Sequence, residues 1–208
     1  IAGQTDIVTT YTYNADGKVI STVVSGGNLT LSTAQSYDMA GRLVQETDAS
    51  GLITTYSYQK ATSSRGDIVT KTNPGGFTEI TEYYLDGKIK SITGTAQAPS
   101  FYDYGVDSAG NQWVMCANSS DFNKLWQKTY TNTLGQTVKI EKSGYNASVI
   151  TTFTYNALGL LVKKTSTGIA DELYEYDALG NLIRQGTDVN LSLKHISRCR
   201  RKPLSSSR

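Results

Sequence analysis

Tyr37 to Val44 reads Tyr-Asp-Met-Ala-Gly-Arg-Leu-Val, and near copies of it return from one end of the chain to the other. Residues 13–20 (YNADGKVI), 155–162 (YNALGLLV) and 176–183 (YDALGNLI) keep its aromatic, its Asp or Asn, two variable residues, its Gly and an apolar run. Asn and Asp side chains bond the backbone two residues on, and glycine adopts positive φ without a Cβ penalty. The N/D-x-x-G spacing is therefore a turn with a mechanical cause.

The flanks of these turns read as strands. Residues 7–13 alternate so that Tyr11 and Tyr13 share one face, and the β-branched residues 18–24 make a return strand. Turn glycines fall at Gly17, Gly41, Gly87, Gly110, Gly135, Gly159 and Gly180, with Gly51 and Gly76 between them. The step is 21 to 25 residues, apart from a double step of 46 between Gly41 and Gly87. One step holds two strands of roughly seven residues and two turns, which is one β-hairpin ~23 Å long. The predicted fold is all-β: a repetitive antiparallel β-hairpin ribbon over residues 1–190, stacked into a curved wall. Each hairpin would bury its faces against its neighbours, so stability should grow nearly additively with repeat number. Composition agrees, since 18% charged residues, 3 Pro, 19 Gly and 14 Tyr suit short strands and tight turns.

The pattern Tyr-Asp-x-x-Gly-Arg-Leu, followed by Asp-x-x-Gly, Thr and Tyr-x-Tyr, is fully met at residues 37–58 (YDMAGRLVQETDASGLITTYSY) and resembles the YD repeat of the Rhs family. That family takes in bacterial Rhs proteins, insecticidal toxin-complex components and the extracellular part of teneurins. The signature positions are Tyr13, Gly17, Tyr37, Asp38, Gly41, Arg42, Gly51, Gly87, Gly110, Gly135, Tyr155, Gly159, Tyr176, Asp177 and Gly180. Tyr84 in place of Asp, Thr131 in place of Tyr, and the stretched spacing from Tyr104 to Gly110 depart from it, and altered or bulged hairpins are expected there. The resemblance implies a hairpin ribbon wound into a hollow shell, a segment of a large secreted or surface-exposed toxin or adhesin. Its partners would be the remaining repeats and a C-terminal effector of the same parent chain. The alternative is a carbohydrate- or protein-binding repeat of an adhesin, with a glycan or cell-surface protein as partner.

The formal charge of +2 is unevenly spread. Residues 191–208 hold six of the 20 bases and no acid, which leaves the first 190 residues with 14 bases against 18 acids, a charge of −4. An acidic body has no electrostatic footprint for nucleic acid. The basic tail (LSLKHISRCRRKPLSSSR) abandons the repeat and resembles a translated sequencing adapter, so it reads as non-native and is expected to be disordered. No apolar run nears the roughly 18 residues a membrane span needs. The start at Ile1 reads as a piece of something longer, and exposed strand edges predict poor solubility or oligomers.

His195, the only histidine, lies in that tail, so Ser-His-Asp and Cys-His catalysis and zinc sites are set aside, and no enzymatic role is expected. Asp38, Asp48, Asp107 and Asp177 occupy turn slots rather than forming a hydrolytic pair, and the 171–172 and 79/82 acids read as solvated. Calcium and phosphate loops are absent, so no metal and no cofactor is expected. Cys116 reads as a small buried hydrophobe and Cys199 falls in the tail, which excludes a disulfide framework. The Tyr-x-Tyr pairs are expected to pack on one another along the wall. Trp113 and Trp126, irregular in the repeat, are the candidates for a ligand patch.

Overall fold

Glycines at the ends of the apolar runs set the fold. The computed structural model describes residues 6–188, and the tail with His195 and Cys199 lies outside them. Sixteen antiparallel strands follow one another in chain order in one sheet, and among the described residues there is no helix. They fall into two units, divided after Phe101.

Unit 1 carries β1 (Val8–Tyr13), β2 (Val19–Gly26), β3 (Leu29–Tyr37), β4 (Leu43–Thr47), β5 (Ile53–Gln59), β6 (Ile68–Thr72), β7 (Thr78–Tyr83) and β8 (Ile89–Gly94). β9 (Ser100–Val106) begins there, pairing Phe101 with Ser91. Unit 2 holds β10 (Gln112–Ala117), β11 (Trp126–Thr131), β12 (Thr137–Lys142), β13 (Val149–Tyr155), β14 (Leu161–Ser166), β15 (Ile169–Tyr176) and β16 (Leu182–Asp188).

Each signature turn has the same construction. At Asp38 the backbone N–H donates to Arg42 O at 2.9 Å, and Gly41 N–H donates to Asp38 O at 2.9 Å. Asp38 Oδ1 takes the N–H groups of Ala40 and Arg42, both at 2.9 Å. Gly41 sits at φ +73°, which matches a hairpin built on a tight turn closed by a left-handed glycine. Asn14, Asp48, Asp107, Asn132, Asn156 and Asp177 accept the same two N–H groups.

Just past the turn the register slips by one residue. Tyr13 faces Val19, Tyr37 faces Leu43, Tyr83 faces Ile89, Thr131 faces Thr137, Tyr155 faces Leu161 and Tyr176 faces Leu182, each with a bulge before it. The bulge is present whether the residue beside it is a tyrosine or Thr131, whereas the intermediate turns at Asp48 and Asn73, closed by the same backbone bonds, continue in register without it. The Tyr84 turn also keeps its backbone bonds, Tyr84 N–H to Lys88 O and Gly87 N–H to Tyr84 O. Asp86 Oδ1 there takes the Lys88 N–H that Asp would otherwise accept, at 3.1 Å. The departures expected to alter these hairpins leave the backbone pattern in place.

Burial is shallow. Among described apolar residues only Ala117 (3% exposed) and Tyr130 (6%) are sealed. Along β5, Thr54, Tyr56 and Tyr58 are the sheltered set, whereas Ile53, Thr55 and Ser57 face solvent. The tyrosine face is therefore the better covered one, and stability must rest on cross-strand pairs and ladder bonds more than on a central core. Cys116 is half-buried for the same reason, not sealed as expected.

Candidate functional site

The repeating element, present at four places, is a bond from one hairpin to the one before it. Tyr58 donates its hydroxyl to Leu43 O at 2.7 Å, Tyr155 to Thr137 O at 2.8 Å and Tyr176 to Leu161 O at 2.9 Å, while the Tyr37 hydroxyl is shared between Val19 O at 3.1 Å and Gln35 Oε1 at 2.9 Å. Each acceptor stands two residues beyond a turn glycine, beside the bulge. The tyrosine hydroxyl thus fastens the irregular point of one hairpin to the strand of the next. Tyr13, on β1 at the sheet's first position, is 56% exposed.

The residue after four of the turn glycines adds a second tie. Lys18 Nζ donates to Gly41 O and lies 5.1 Å from the Tyr37 ring centre. Arg42 stacks on Tyr58 at 4.4 Å while holding Asp38 at 2.7 Å. Gln136 Nε2 donates to Gly159 O at 3.1 Å, and Leu160 is positioned for an apolar version against Gly180. Cation–π contacts of this half-exposed kind contribute about 0.5–1 kcal/mol each.

The tyrosine pairs therefore differ from simple ring stacking. Tyr11 and Tyr13 are in ring contact, at 6.5 Å between centres. Tyr56 instead donates to Glu46 Oε1 at 2.7 Å, Tyr130 to Glu141 Oε2 at 2.9 Å and Tyr174 to Glu172 Oε2 at 2.6 Å. A hydroxyl beside a carboxylate is better satisfied as a donor than as one more packed edge.

Around Trp113 the cluster is dense. Lys128 Nζ lies 3.5 Å from the Trp113 ring centre and 5.3 Å from that of Tyr130. Lys139 Nζ lies 3.8 Å from Tyr130 and 3.0 Å from Glu141. The indole covers Gly105 so closely that a Cβ there would come within 2.3 Å of Trp113 Cζ2. Trp113 is committed to its own sheet. Trp126, by contrast, opens β11 half-buried beside the 143–148 loop.

Asp171 corrects the reading of that acid as solvated: it is 8% exposed and paired with Lys163 at 2.7 Å, while Glu172 is tied to Lys164 at 2.8 Å. Among the described residues no group of three or more His, Cys, Asp and Glu could hold a metal ion, and no helix is long and apolar enough to cross a membrane.

Several groups titrate away from their ordinary values. The Arg42 backbone N–H and guanidinium hold Asp38 low, and the Asn111 and Asn181 side chains and N–H groups do the same for Asp107 and Asp177. Burial, then Glu46, pushes Tyr56 up to about 12, and Glu172, then burial, pushes Tyr174 up to about 12. Lowered carboxyls contribute stability above their unfolded value near 3.9, lost as pH falls through the folded value. Raised phenols contribute stability below their unfolded value near 10, lost as pH rises through the folded value. Thermal unfolding across pH should show a plateau that drops below about 4 and again between about 10 and 12. A Tyr56→Phe, Tyr174→Phe double variant should lose most of the late tyrosinate absorbance, the remainder belonging to Tyr130, which burial and Glu141 also raise; an unchanged titration curve would refute the assignment.

The comparisons agree with this geometry. The family model RHS Repeat matches residues 37–78. No curated protein matches the chain. A solved Tc holotoxin pore from Photorhabdus luminescens with mutated TccC3 is similar at TM-score 0.59 and 17% identity, covering 88% of this chain and 11% of that one. A TcdB2–TccC3–Cdc42 crystal structure is similar at 0.60 and 16%, covering 93% and 12%. A TcdB2–TccC3 structure is similar at 0.56 and 16%, covering 85% and 11%. This chain spans about a tenth of the length of those neighbours, and the likeness is one of fold.

Proposed function

We propose that the chain, whose residues 37–78 match the RHS Repeat model, is a structural Rhs/YD-repeat segment of a shell that encloses or presents a C-terminal effector of its parent chain. One observation carries the reading: hairpins of one design follow in chain order, and four of them are bonded by a tyrosine hydroxyl to the post-turn carbonyl of the hairpin before. Such an array is indefinitely extendable and mechanically continuous, which is what a wall needs. The fold likeness to TcdB2–TccC3 assemblies supports the same role. Signature residues Tyr37, Asp38, Gly41, Arg42 and their copies would serve the wall rather than a reaction, so the segment works without catalysis, cofactor or metal. Its place would be secreted or at the cell surface, and its partners the neighbouring repeats and the effector.

The test uses the complete parent protein. Limited proteolysis should leave its C-terminal region protected while the repeats are folded, and expose it once acid or denaturant opens them. Equal cleavage of that region in both states would overturn the proposal.

A further inference from the structure

The last three signature turns, all in unit 2, carry a side chain that the others lack. Residues 132–135 (NTLG), 156–159 (NALG) and 177–180 (DALG) each place a leucine just before the glycine, where the turns at Gly17, Gly41, Gly87 and Gly110 have Asp16, Ala40, Asp86 and Ala109. Leu134 is 78% exposed, Leu158 70% and Leu179 88%, so all three stand off the sheet. The turns hold them alike. Leu134 N–H donates to Asn132 Oδ1 and Leu158 N–H to Asn156 Oδ1, both at 3.0 Å, and Leu179 N–H donates to Asp177 Oδ1 at 2.9 Å. The glycines that follow sit at φ +79°, +78° and +84°. A side chain on a backbone fixed in this way needs little further ordering when a partner covers it.

The three tips join β11 to β12, β13 to β14 and β15 to β16 in a sheet whose strands follow in chain order, so they lie together at one end of it. Successive tips are two strand spacings apart, ~9.6 Å, and the leucines form a row ~19 Å long. Little charge stands beside it. Segments 132–136, 156–160 and 177–181 contain no Lys or Arg, and their one acid, Asp177, is engaged by the Asn181 N–H and side-chain amide. In unit 1 the corresponding glycines are followed by Lys18, Arg42 and Lys88. A single exposed leucine is ordinary, whereas three at equal spacing on fixed, uncharged tips make a patch.

We propose that this row docks one amphipathic α-helix of a partner protein, laid across the three tips with an apolar residue at every seventh position. In a helix, residues i, i+7 and i+14 share one face at steps of ~10.5 Å, within about a tenth of the tip spacing. An extended peptide presents same-side residues every ~6.8 Å and is out of step by the second tip. Three leucines offer on the order of 300 Å² of apolar surface, well short of the ~800 Å² that each partner gives to a stable pair of globular chains, so the row does not by itself pair two copies. A helix seated by a few apolar anchors needs no more. An anionic bilayer surface is drawn by clustered Lys and Arg, which these tips lack. Docking here is independent of whether the wall encloses an effector.

The experiment titrates the full chain against a fluorescent helical peptide bearing leucine at every seventh position, beside a peptide of equal composition and helicity with its leucines on scattered faces, and beside phosphatidylserine vesicles. Anisotropy should rise for the first peptide alone, at protein concentrations up to about 100 µM. The Leu134→Ser, Leu158→Ser, Leu179→Ser triple variant should bind it roughly tenfold more weakly or worse, and Met39→Ser, which changes a fully exposed side chain on a unit 1 tip, should bind as the parent does. Thermal melting reports folding, and the triple variant, altering exposed side chains only, should melt with the parent. Should it melt early, Leu158→Ser alone, at the centre of the row, carries the comparison with a loss of about threefold or more. No peptide binding by folded protein, equal binding of the two peptides, or binding indifferent to the leucine variants would overturn the proposal. So would leucine-dependent binding found only on vesicles, or only as self-association.

Discussion

Gly94→Ala is expected to destabilise unit 1 by about 3 kcal/mol, through strain and steric conflict acting together. Gly94 ends β8 at φ +120°, and a Cβ there would meet Thr78 O at 2.2 Å and Thr78 C at 2.8 Å. The obstacle is backbone, so it cannot turn aside. That same carbonyl accepts the Ala96 N–H at 2.9 Å, and Thr78 N–H donates to Thr95 Oγ1 at 2.9 Å, so displacing Thr78 also loosens the exit from β8. Gly51→Ala is the comparison: its φ is +80°, but nothing lies within 4 Å of the added carbon. That variant should lose only about 1–2 kcal/mol, the left-handed cost alone. Urea unfolding followed by circular dichroism separates the two. Equal midpoints would mean that the contact at Thr78 carries no energy.

The contrast between these glycines shows where the fold was legible. The N/D-x-x-G spacing marks hairpin tips because turn chemistry is local, written in residues that touch along the chain, and the all-β hairpin array follows from its recurrence. Gly94 carries no such mark, since what it avoids is Thr78, on the neighbouring strand. Asp171 looked solvated because its sheltering partner Lys163 is eight residues away and reaches it only once β14 and β15 pair. Trp126 was singled out as irregular, and what it meets is the 143–148 loop, which only the β11–β12 register brings to it. Trp113, singled out for the same reason, is occupied by Gly105 and Lys128. Irregularity in a repeat points to a place, and only the register says what meets there.

The tyrosines carry the second large expectation. Their aromatic character suggested packing, yet at Tyr37, Tyr58, Tyr155 and Tyr176 the hydroxyl is what reaches the previous hairpin. Replacing one by Phe keeps the ring and removes the donor, leaving a part-buried carbonyl beside a bulge without that partner, which costs about 1 kcal/mol. Tyr37→Phe with Tyr58→Phe in unit 1 should therefore cost about 2 kcal/mol, and Tyr155→Phe with Tyr176→Phe about the same in unit 2. The two bonds of each pair join different hairpins, so the losses should add to within about 0.5 kcal/mol. Tyr13→Phe is the control, because Tyr13 stands on β1, where no described strand precedes it, and should be silent. If packing alone mattered, all five Phe variants would melt together with the parent. Loss confined to the four that donate across a bulge would establish that the signature tyrosine is kept for its oxygen, and that each repeat is stabilised by the next.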